Sequence, residues 1–151
     1  MMKILASNKK ATFDYAIKKT LEAGIVLTGQ EVKSVKQGQA SLKGAYVVCN
    51  ASGEMELINA YIPPYQPANA PPHYQPDRSR KLLLHNKEIS SFRDKAKQEG
   101  LTLVPLRLYN KKGIIKIEIA LAQGRKKFDK REKLKKREID KKIRIALKRG
   151  R

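Results

Sequence analysis

The stretch Ile115-Lys-Ile-Glu-Ile-Ala-Leu121 alternates a large apolar residue with a charged or small one. Successive side chains of a β-strand point to opposite faces, so this period of two is typical of a strand with one buried face. Residues 110–113 form a predicted turn before it, and residues 101–109 predict the preceding strand, with a bulge or an edge position at Pro105. The pattern predicts two antiparallel strands joined by a tight turn.

The chain before this pair shows further strand and helix patterns. The predicted strands are residues 12–28, 45–49 and 54–62. The first is interpreted as one long strand bent near Gly24, and a helix over residues 9–22 is the alternative. Helices are predicted over residues 30–37 and 86–99, each followed by a glycine. Residues 63–80 hold six of the seven prolines, so they are predicted to leave the sheet.

Short strands linked by turns around a small core favour a closed barrel, because closure removes exposed sheet edges. The expected fold is therefore mainly β with short helices: a closed antiparallel barrel of the oligonucleotide-binding (OB) type. Periodicity alone leaves a β-sandwich open. We expect two parts, a body over residues 1–123 and a basic tail over residues 124–151.

The tail holds 15 Lys and Arg against 4 Asp and Glu, which is +11 of the chain's formal net charge of +20. A charge of this size and segregation predicts a polyanionic partner, most commonly nucleic acid. The tail's i,i+4 ion pairs are too weak to offset helix nucleation, so we expect it to be disordered alone and helical against a polyanion. Phe128 and Asp129 interrupt the basic run and suggest stacking and a placed hydrogen bond at an RNA base.

The sequence argues against several other classes of protein. It has a single cysteine, Cys49, and two histidines, His73 and His85, which form no metal-ligand cluster. We find no glycine-rich phosphate loop and no paired carboxylates at catalytic spacing, so neither a cofactor nor an enzyme is expected. An apolar run of membrane-spanning length and a signal peptide are lacking, which predicts a cytoplasmic protein without a membrane partner.

Short blocks of sequence in order along the chain resemble the bacterial SsrA-binding protein (SmpB) family. They are Asn8-Lys-Lys-Ala11, Tyr15, Glu22-Ala-Gly-Ile25, Gly29-x-Glu31-Val-Lys-Ser34, Arg80-Lys-Leu-Leu-Leu84, Glu88-Ile89, Leu106-x-Leu-Tyr109 and Gly124-x-Lys126-x-x-Asp129-Lys-Arg131. The family's fold is a six-stranded antiparallel OB-type barrel with accessory helices, which agrees with the independent prediction.

The resemblance implies a function in ribosome rescue. The body would bind the tRNA-like domain of transfer-messenger RNA (tmRNA), and the complex with elongation factor Tu and GTP would enter ribosomes stalled on truncated mRNA. The tail would reach the decoding centre of the small subunit and occupy the empty mRNA channel as a helix. Translation then resumes on tmRNA, and the nascent chain is tagged. We expect a monomer when RNA is bound.

The resemblance also implies site residues. Asn8, Glu22 and Leu83 match positions tied to tmRNA binding, although Glu22 in a local salt bridge and Leu83 in the core are the alternatives. The basic residues expected at the same RNA are Lys9, Lys10, Lys33, Arg80 and Lys81. The tail residues expected at the decoding centre are Gly124, Lys126, Lys127, Phe128, Asp129, Lys130 and Arg131. Ile139, Ile143 and Leu147 lie four apart and would form the stripe of the channel helix.

Overall fold

A computed structural model describes residues 2–50, 52–124 and 137–139. Between residues 2 and 124 the described part contains seven strands, three α-helices and one short 3-10 turn, and residues 137–139 form a separate helical turn. The strands are β1 (Met2–Ser7), β2 (Tyr15–Ile25), β3 (Tyr46–Cys49), β4 (Met55–Ile58), β5 (Arg80–Leu83), β6 (Thr102–Lys111) and β7 (Ile114–Gly124). The helices are α1 (Lys9–Asp14), α2 (Gly29–Lys36) and α3 (Asn86–Glu99), and the 3-10 turn is Pro67–Asn69.

All seven strands form one antiparallel sheet in the order β1-β6-β7-β2-β5-β4-β3. The sheet begins at β1 and ends at β3, and these two edges do not pair with each other. The predicted closed barrel is therefore wrong, whereas the mainly β fold with short helices is correct.

The reason the sheet stays open lies in β1, which the sequence patterns did not reveal. β1 pairs with β6 over Arg107–Lys111 and so occupies part of the edge that a closing strand would need. The other half of the β6 edge, from Thr102 to Leu106, is approached by α1 instead. β3 has only four residues and packs near β6 without a ladder of hydrogen bonds. Pairing of β3 with Thr102–Leu106 would require it to displace α1 from this half of the edge.

Asn8 explains why the predicted strand over residues 12–28 begins with a helix. Its side chain accepts a hydrogen bond from the Ala11 backbone N–H at 3.2 Å, as a helix N-cap does. The same side chain donates to the Pro105 carbonyl at 2.9 Å, and the Asn8 backbone N–H donates to the Leu106 carbonyl at 2.8 Å. α1 therefore occupies the start of the segment, and β2 follows from Tyr15. The bulge of β2 lies between Ile17 and Lys19 rather than at Gly24.

The other predicted elements are confirmed within a few residues. α3 has the predicted bounds, and Gly100 ends it with a left-handed backbone at φ 64°. The predicted irregularity in β6 is a register shift between Pro105 and Arg107. The predicted excursion over residues 63–80 is confirmed for residues 63–79, whereas Arg80 is already the first residue of β5.

Two apolar clusters hold the elements together. The larger lies between the sheet and the helices α2 and α3, and it includes Val35, Leu57, Phe92 and Ile117. The smaller lies under α1, where Ala11 packs with buried residues of β6 and β7. The sheet therefore contributes residues to two apolar layers along β6 and β7, while parts of β2 and β5 stay open to solvent.

Candidate nucleic-acid interface

Glu22 and Leu83, two of the predicted RNA-binding residues, lie close together on the open part of the sheet. β2 and β5 are neighbours, and Gly24 of β2 lies opposite Leu83. A Cβ atom at Gly24 would lie 3.2 Å from the Cβ of Leu83, so the glycine allows this close approach. Leu83 is 52% exposed whereas Leu82 is 2% exposed, which rules out the core position for Leu83.

Both residues line a surface cavity of about 320 Å³, the Glu22–Leu83 cavity. The full lining is Glu22, Gly24, Leu83, Leu84, His85, Glu88 and Lys116. It contains two carboxylates and one ammonium group, so its balance of charge does not favour phosphate. It favours a ligand with N–H donors and an apolar face, which is what an unstacked base offers at its edge and its ring.

The carboxylate of Glu22 is oriented by two neighbours from β6. The Tyr109 hydroxyl donates a hydrogen bond to Glu22 Oε2, and Lys111 Nζ lies 3.4 Å from the same oxygen. The Tyr109 hydrogen bond is the main cause that lowers the pKa of Glu22 below its ordinary value, and Lys111 and Lys116 add to it against the effect of desolvation. Burial and the Glu22 hydrogen bond raise the pKa of Tyr109.

Glu22 therefore has the local salt bridge that was its alternative interpretation, and it is also available to a ligand. Its side chain is 40% exposed, and the bonds from Tyr109 and Lys111 both use Oε2. A carboxylate has about four lone-pair sites, so Glu22 retains acceptor capacity for a base amino group.

Arg80 is not available to RNA, and that prediction is wrong. Its side chain is 0% exposed and it donates to Glu31 Oε2 through Nε at 2.9 Å and through Nη2 at 2.6 Å. It also donates to the carbonyls of Ala60 at 2.6 Å and Pro76 at 2.8 Å. Every one of these partners is internal, so Arg80 fastens the proline-rich loop to α2.

Asn8 is also an internal residue, since it is 7% exposed and its amide serves the helix cap and Pro105. It positions the exposed lysines Lys9 and Lys10, which follow it in α1. These two line a separate cavity of about 310 Å³, together with Lys43. Tyr15, next to α1, lies seven residues before Glu22 on β2, which corresponds to roughly 20 Å along a strand. The predicted residues therefore form two groups.

The last two predicted basic residues of the body are exposed and lie outside both groups. Lys33 is on the solvent side of α2, with its Nζ 5.6 Å from the centre of the Tyr65 ring. Lys81 Nζ lies 3.2 Å from Glu54 in an ion pair whose two side chains are about half exposed. Such pairs open readily, so neither lysine is prevented from contacting RNA.

Most predicted tail residues lie outside the described residues: Lys126, Lys127, Phe128, Asp129, Lys130, Arg131, Ile143 and Leu147. Gly124 is described as the last residue of β7 and pairs with Tyr15. Ile139 belongs to a described helical turn of three residues and is 57% exposed. The Arg137 guanidinium in that turn lies 5.6 Å from the centre of the Phe13 ring.

The sequence patterns missed four residues at the Glu22–Leu83 cavity: Lys116, His85, Tyr109 and Lys111. The alternation of β7 does place Lys116 on its outer face, but only the register that puts it opposite Gly24 and Tyr109 brings it to Glu22. Tyr109 and Lys111 are about 87 to 89 positions from Glu22 in the chain. No local sequence pattern could have shown that Tyr109 and Lys111 contact Glu22.

Within residues 2–50, 52–124 and 137–139, no three His, Cys, Asp or Glu side chains are grouped so that they could hold a metal ion. No helix in the same ranges is both long and apolar enough to cross a membrane.

Comparison with known proteins identifies the family. A family model described as SmpB protein matches residues 5–149. An SsrA-binding protein of Sulfurihydrogenibium sp. (strain YO3AOP1) is 51% identical over 146 residues, which cover 97% of this chain and 95% of the relative. An SsrA-binding protein of Fervidobacterium nodosum (strain ATCC 35602 / DSM 5306 / Rt17-B1) is 50% identical over 149 residues, covering 97% and 98%.

A solved structure gives the same result for the fold. It is described as "tmRNA-SmpB: a journey to the center of the bacterial ribosome", is 40% identical and superposes with a TM-score of 0.66. The superposition covers 83% of this chain and 91% of that one. The chain belongs to the SmpB family of SsrA-binding proteins.

Proposed function

We propose that this protein binds the tRNA-like domain of tmRNA and delivers it to stalled ribosomes, where translation resumes on tmRNA and the nascent chain is tagged. The observation that carries this proposal is the family match over residues 5–149, which includes both the folded body and the basic tail. The description of the solved neighbour, which names tmRNA, SmpB and the bacterial ribosome, supports it.

The body supplies the contact with tmRNA in this proposal. Glu22 accepts hydrogen bonds from base amino groups, and the exposed Leu83 beside it packs on an apolar face of the RNA. The lysines of α1, together with Lys33 and Lys81, contribute attraction to phosphates that does not depend on sequence. The protein binds as a monomer in the cytoplasm and catalyses no reaction, and elongation factor Tu with GTP joins the complex.

The tail supplies the contact with the ribosome. Residues Lys126 to Arg131 reach the decoding centre, where Phe128 stacks and Asp129 accepts a hydrogen bond. The tail then becomes helical in the empty mRNA channel, with Ile139, Ile143 and Leu147 on one stripe. The support is the charge of +11 over residues 124–151 and the four-residue spacing of the three apolar positions.

A competition experiment tests the proposal. Labelled tRNA-like domain is bound to the full-length protein at fixed salt, and unlabelled tRNA-like domain, ordinary tRNA and duplex RNA are added as competitors. We expect the tRNA-like domain to compete at least about tenfold better than the other two, because specific contacts add to the shared electrostatic term. Equal competition by all three RNAs would make the protein a general RNA binder and contradict the proposal.

Substitutions at and near the Glu22–Leu83 cavity test whether the tRNA-like domain binds there. Leu83→Ala is expected to weaken binding of the tRNA-like domain about tenfold while leaving nonspecific binding of duplex RNA unchanged. Ile17→Ala is the matched control, because Ile17 is a 37% exposed aliphatic residue of β2 that lies five positions from Glu22. Equal losses in both variants would mean that the Glu22–Leu83 cavity does not carry the specificity.

A further inference from the structure

The unpaired edges of the sheet border a cleft. Its lining includes only two of the predicted site residues, Asn8 and Lys10. β3 is one edge, and the half of β6 from Thr102 to Leu106 pairs only with β7 among the described strands. Where these two approach each other, a cavity of about 370 Å³ opens between α1 and the loop before β3. We call it the seam cleft and define it by Lys10, Tyr15, Lys43, Tyr46 and Thr102.

The walls of the seam cleft are aromatic and basic, and its floor is apolar. Tyr46 of β3 is 44% exposed, and Tyr15 at the start of β2 is partly buried against the cluster under α1. Lys10 and Lys43 are both exposed. The floor consists of residues under 10% exposed: Ala11, Ala45 and Val104.

The cleft is continuous with the cavity beside α1 described above. The two share Asn8, Lys10 and Lys43, and the second cavity adds Lys9 and about 310 Å³. Asp14 also lines the seam cleft, but the three lysines of the combined space outnumber it. The field along the cleft is therefore positive, and it is stronger than in the Glu22–Leu83 cavity, whose lining holds two carboxylates and one lysine.

This combination suits one class of ligand. The exposed ring of Tyr46 offers a stacking surface for an unpaired base, whichever base it is, and ammonium groups at the rim neutralise the flanking phosphates. The volume lies within the range of pockets that hold small organic ligands. An apolar ligand would leave the lysines without a partner.

We propose that the seam cleft is a second RNA site that holds one unpaired nucleotide, with its base on Tyr46 and its phosphates at Lys10 and Lys43. This inference rests on the proposed function, since it assumes an RNA partner. It adds a contact about 20 Å from the Glu22–Leu83 cavity, a distance that follows from the rise per residue of β2 between Tyr15 and Glu22. The nucleotide comes either from tmRNA or from ribosomal RNA, and the experiment separates these sources.

The test uses the full-length protein and two ligands, the isolated tRNA-like domain and vacant ribosomes, with affinities measured over a range of salt concentrations. Tyr46→Ala is expected to weaken one of the two affinities about tenfold, because the stacking platform is lost. Tyr46→Phe keeps the ring and is expected to stay within about twofold of the original protein. Tyr61→Ala is the control, since Tyr61 is 50% exposed and lines neither cavity.

A second variant does not depend on the edge strand. Lys43 lies in the loop before β3. Lys43→Gln is expected to reduce the slope of log affinity against log salt by about 1 for the ligand whose affinity Tyr46→Ala weakens. Lys95→Gln on α3 is the control and is expected to leave the slope unchanged for both ligands. Loss with the tRNA-like domain assigns the nucleotide to tmRNA, and loss with ribosomes assigns it to ribosomal RNA.

Two results would overturn the inference in different ways. If the original protein binds both ligands and Tyr46→Ala and Lys43→Gln leave both affinities unchanged, the seam cleft is not an RNA site although the proposed function stands. If the original protein binds neither ligand, the proposed function fails, and this inference fails with it.

Discussion

At the residue scale, Glu22 is a carboxylate for which we propose a contact with RNA, in a chain with a net charge of +20. Its charge is already balanced by Lys111 and its orientation is set by Tyr109, so it does not act as a free anion. What it retains is acceptor capacity beside the exposed Leu83. The sequence resemblance named Glu22 and Leu83 as site residues, but it did not connect Tyr109 or Lys111 to Glu22, because those two lie on a strand distant in the sequence.

We expect Tyr109→Phe to remove the hydrogen bond to Glu22 without changing the packing of the ring. Stability at pH 7 should fall by about 1 kcal/mol, a modest value because Glu22 is partly solvated. Affinity for the tRNA-like domain should fall severalfold, since the carboxylate is no longer oriented. Urea denaturation and RNA titration measure the two effects.

The pH dependence of this variant has a definite sign. Because the folded state lowers the pKa of Glu22 below its ordinary value of 4.5, the stabilisation is present above that pH and is lost as the pH falls through the folded value. The stability deficit of Tyr109→Phe should therefore shrink in acid. Tyr61→Phe, at an exposed tyrosine, is the control. A deficit that stays constant down to pH 3 would show that the hydrogen bond to ionised Glu22 is not its cause.

At the scale of elements, the contact between α2 and β5 fixes the proline-rich loop. Glu31 caps α2 with Thr28 and accepts from Arg80 and Arg78, and all of its side chain is buried. Desolvation raises the pKa of Glu31, but hydrogen bonds from the Thr28 backbone, Arg78 and Arg80 outweigh it, so the net pKa is lowered. The loop rejoins the sheet at Arg80, and the ion pair between Arg80 and Glu31 fixes this point against α2.

We expect Arg80→Ala to be strongly destabilising, by about 3 to 5 kcal/mol, because it leaves a buried carboxylate without its main partner. The loss should be smaller near pH 4 than at pH 7, since Glu31 can then protonate in the variant. Thermal and urea unfolding measure this. Lys81→Ala is the matched control, because its ion pair with Glu54 is half exposed and should contribute less than about 1 kcal/mol. Equal losses in the two variants would contradict the structural role of Arg80.

Elements were predictable from the sequence where one local pattern decides them. The alternation of β7 and the helix over residues 86–99 are examples, since burial on one face and a terminal glycine act within the segment. The start of β2 was not predictable in this way. Asn8 commits Lys9–Asp14 to a helix through bonds to Pro105 and Leu106, nearly one hundred residues away. The Leu82–Leu84 run gave no sign of which leucine faces out, because all three are equally apolar.

At the scale of the molecule, we propose that the open sheet binds tmRNA and that the basic tail contacts the ribosome. The sequence predicted the strands but not that β1 would occupy part of the β6 edge, so it predicted a closed barrel. The open seam places tyrosines of β2 and β3 in one cleft with lysines of α1 and of the loop before β3. The predicted tail could be recognised from charge alone, because segregated charge is visible in composition.

Removing the tail tests this division. A protein that ends at Gly124, which keeps the whole of β7, is expected to bind the tRNA-like domain within about tenfold of the full chain, with a smaller salt slope because phosphate contacts are lost. Tagging of nascent chains on stalled ribosomes should be abolished. A translation reaction with a message lacking a stop codon measures tagging. Retained tagging, or loss of both activities together, would contradict the two-part account.

The most direct test of the central claim is the RNA that co-purifies with the protein from its own cells. We predict that tmRNA is enriched over ordinary tRNA and ribosomal RNA relative to their cellular amounts, and that Glu22→Ala combined with Leu83→Ala abolishes the enrichment while nonspecific RNA still binds. Recovery of all RNAs in proportion to their abundance, with the original protein and the double variant alike, would contradict it.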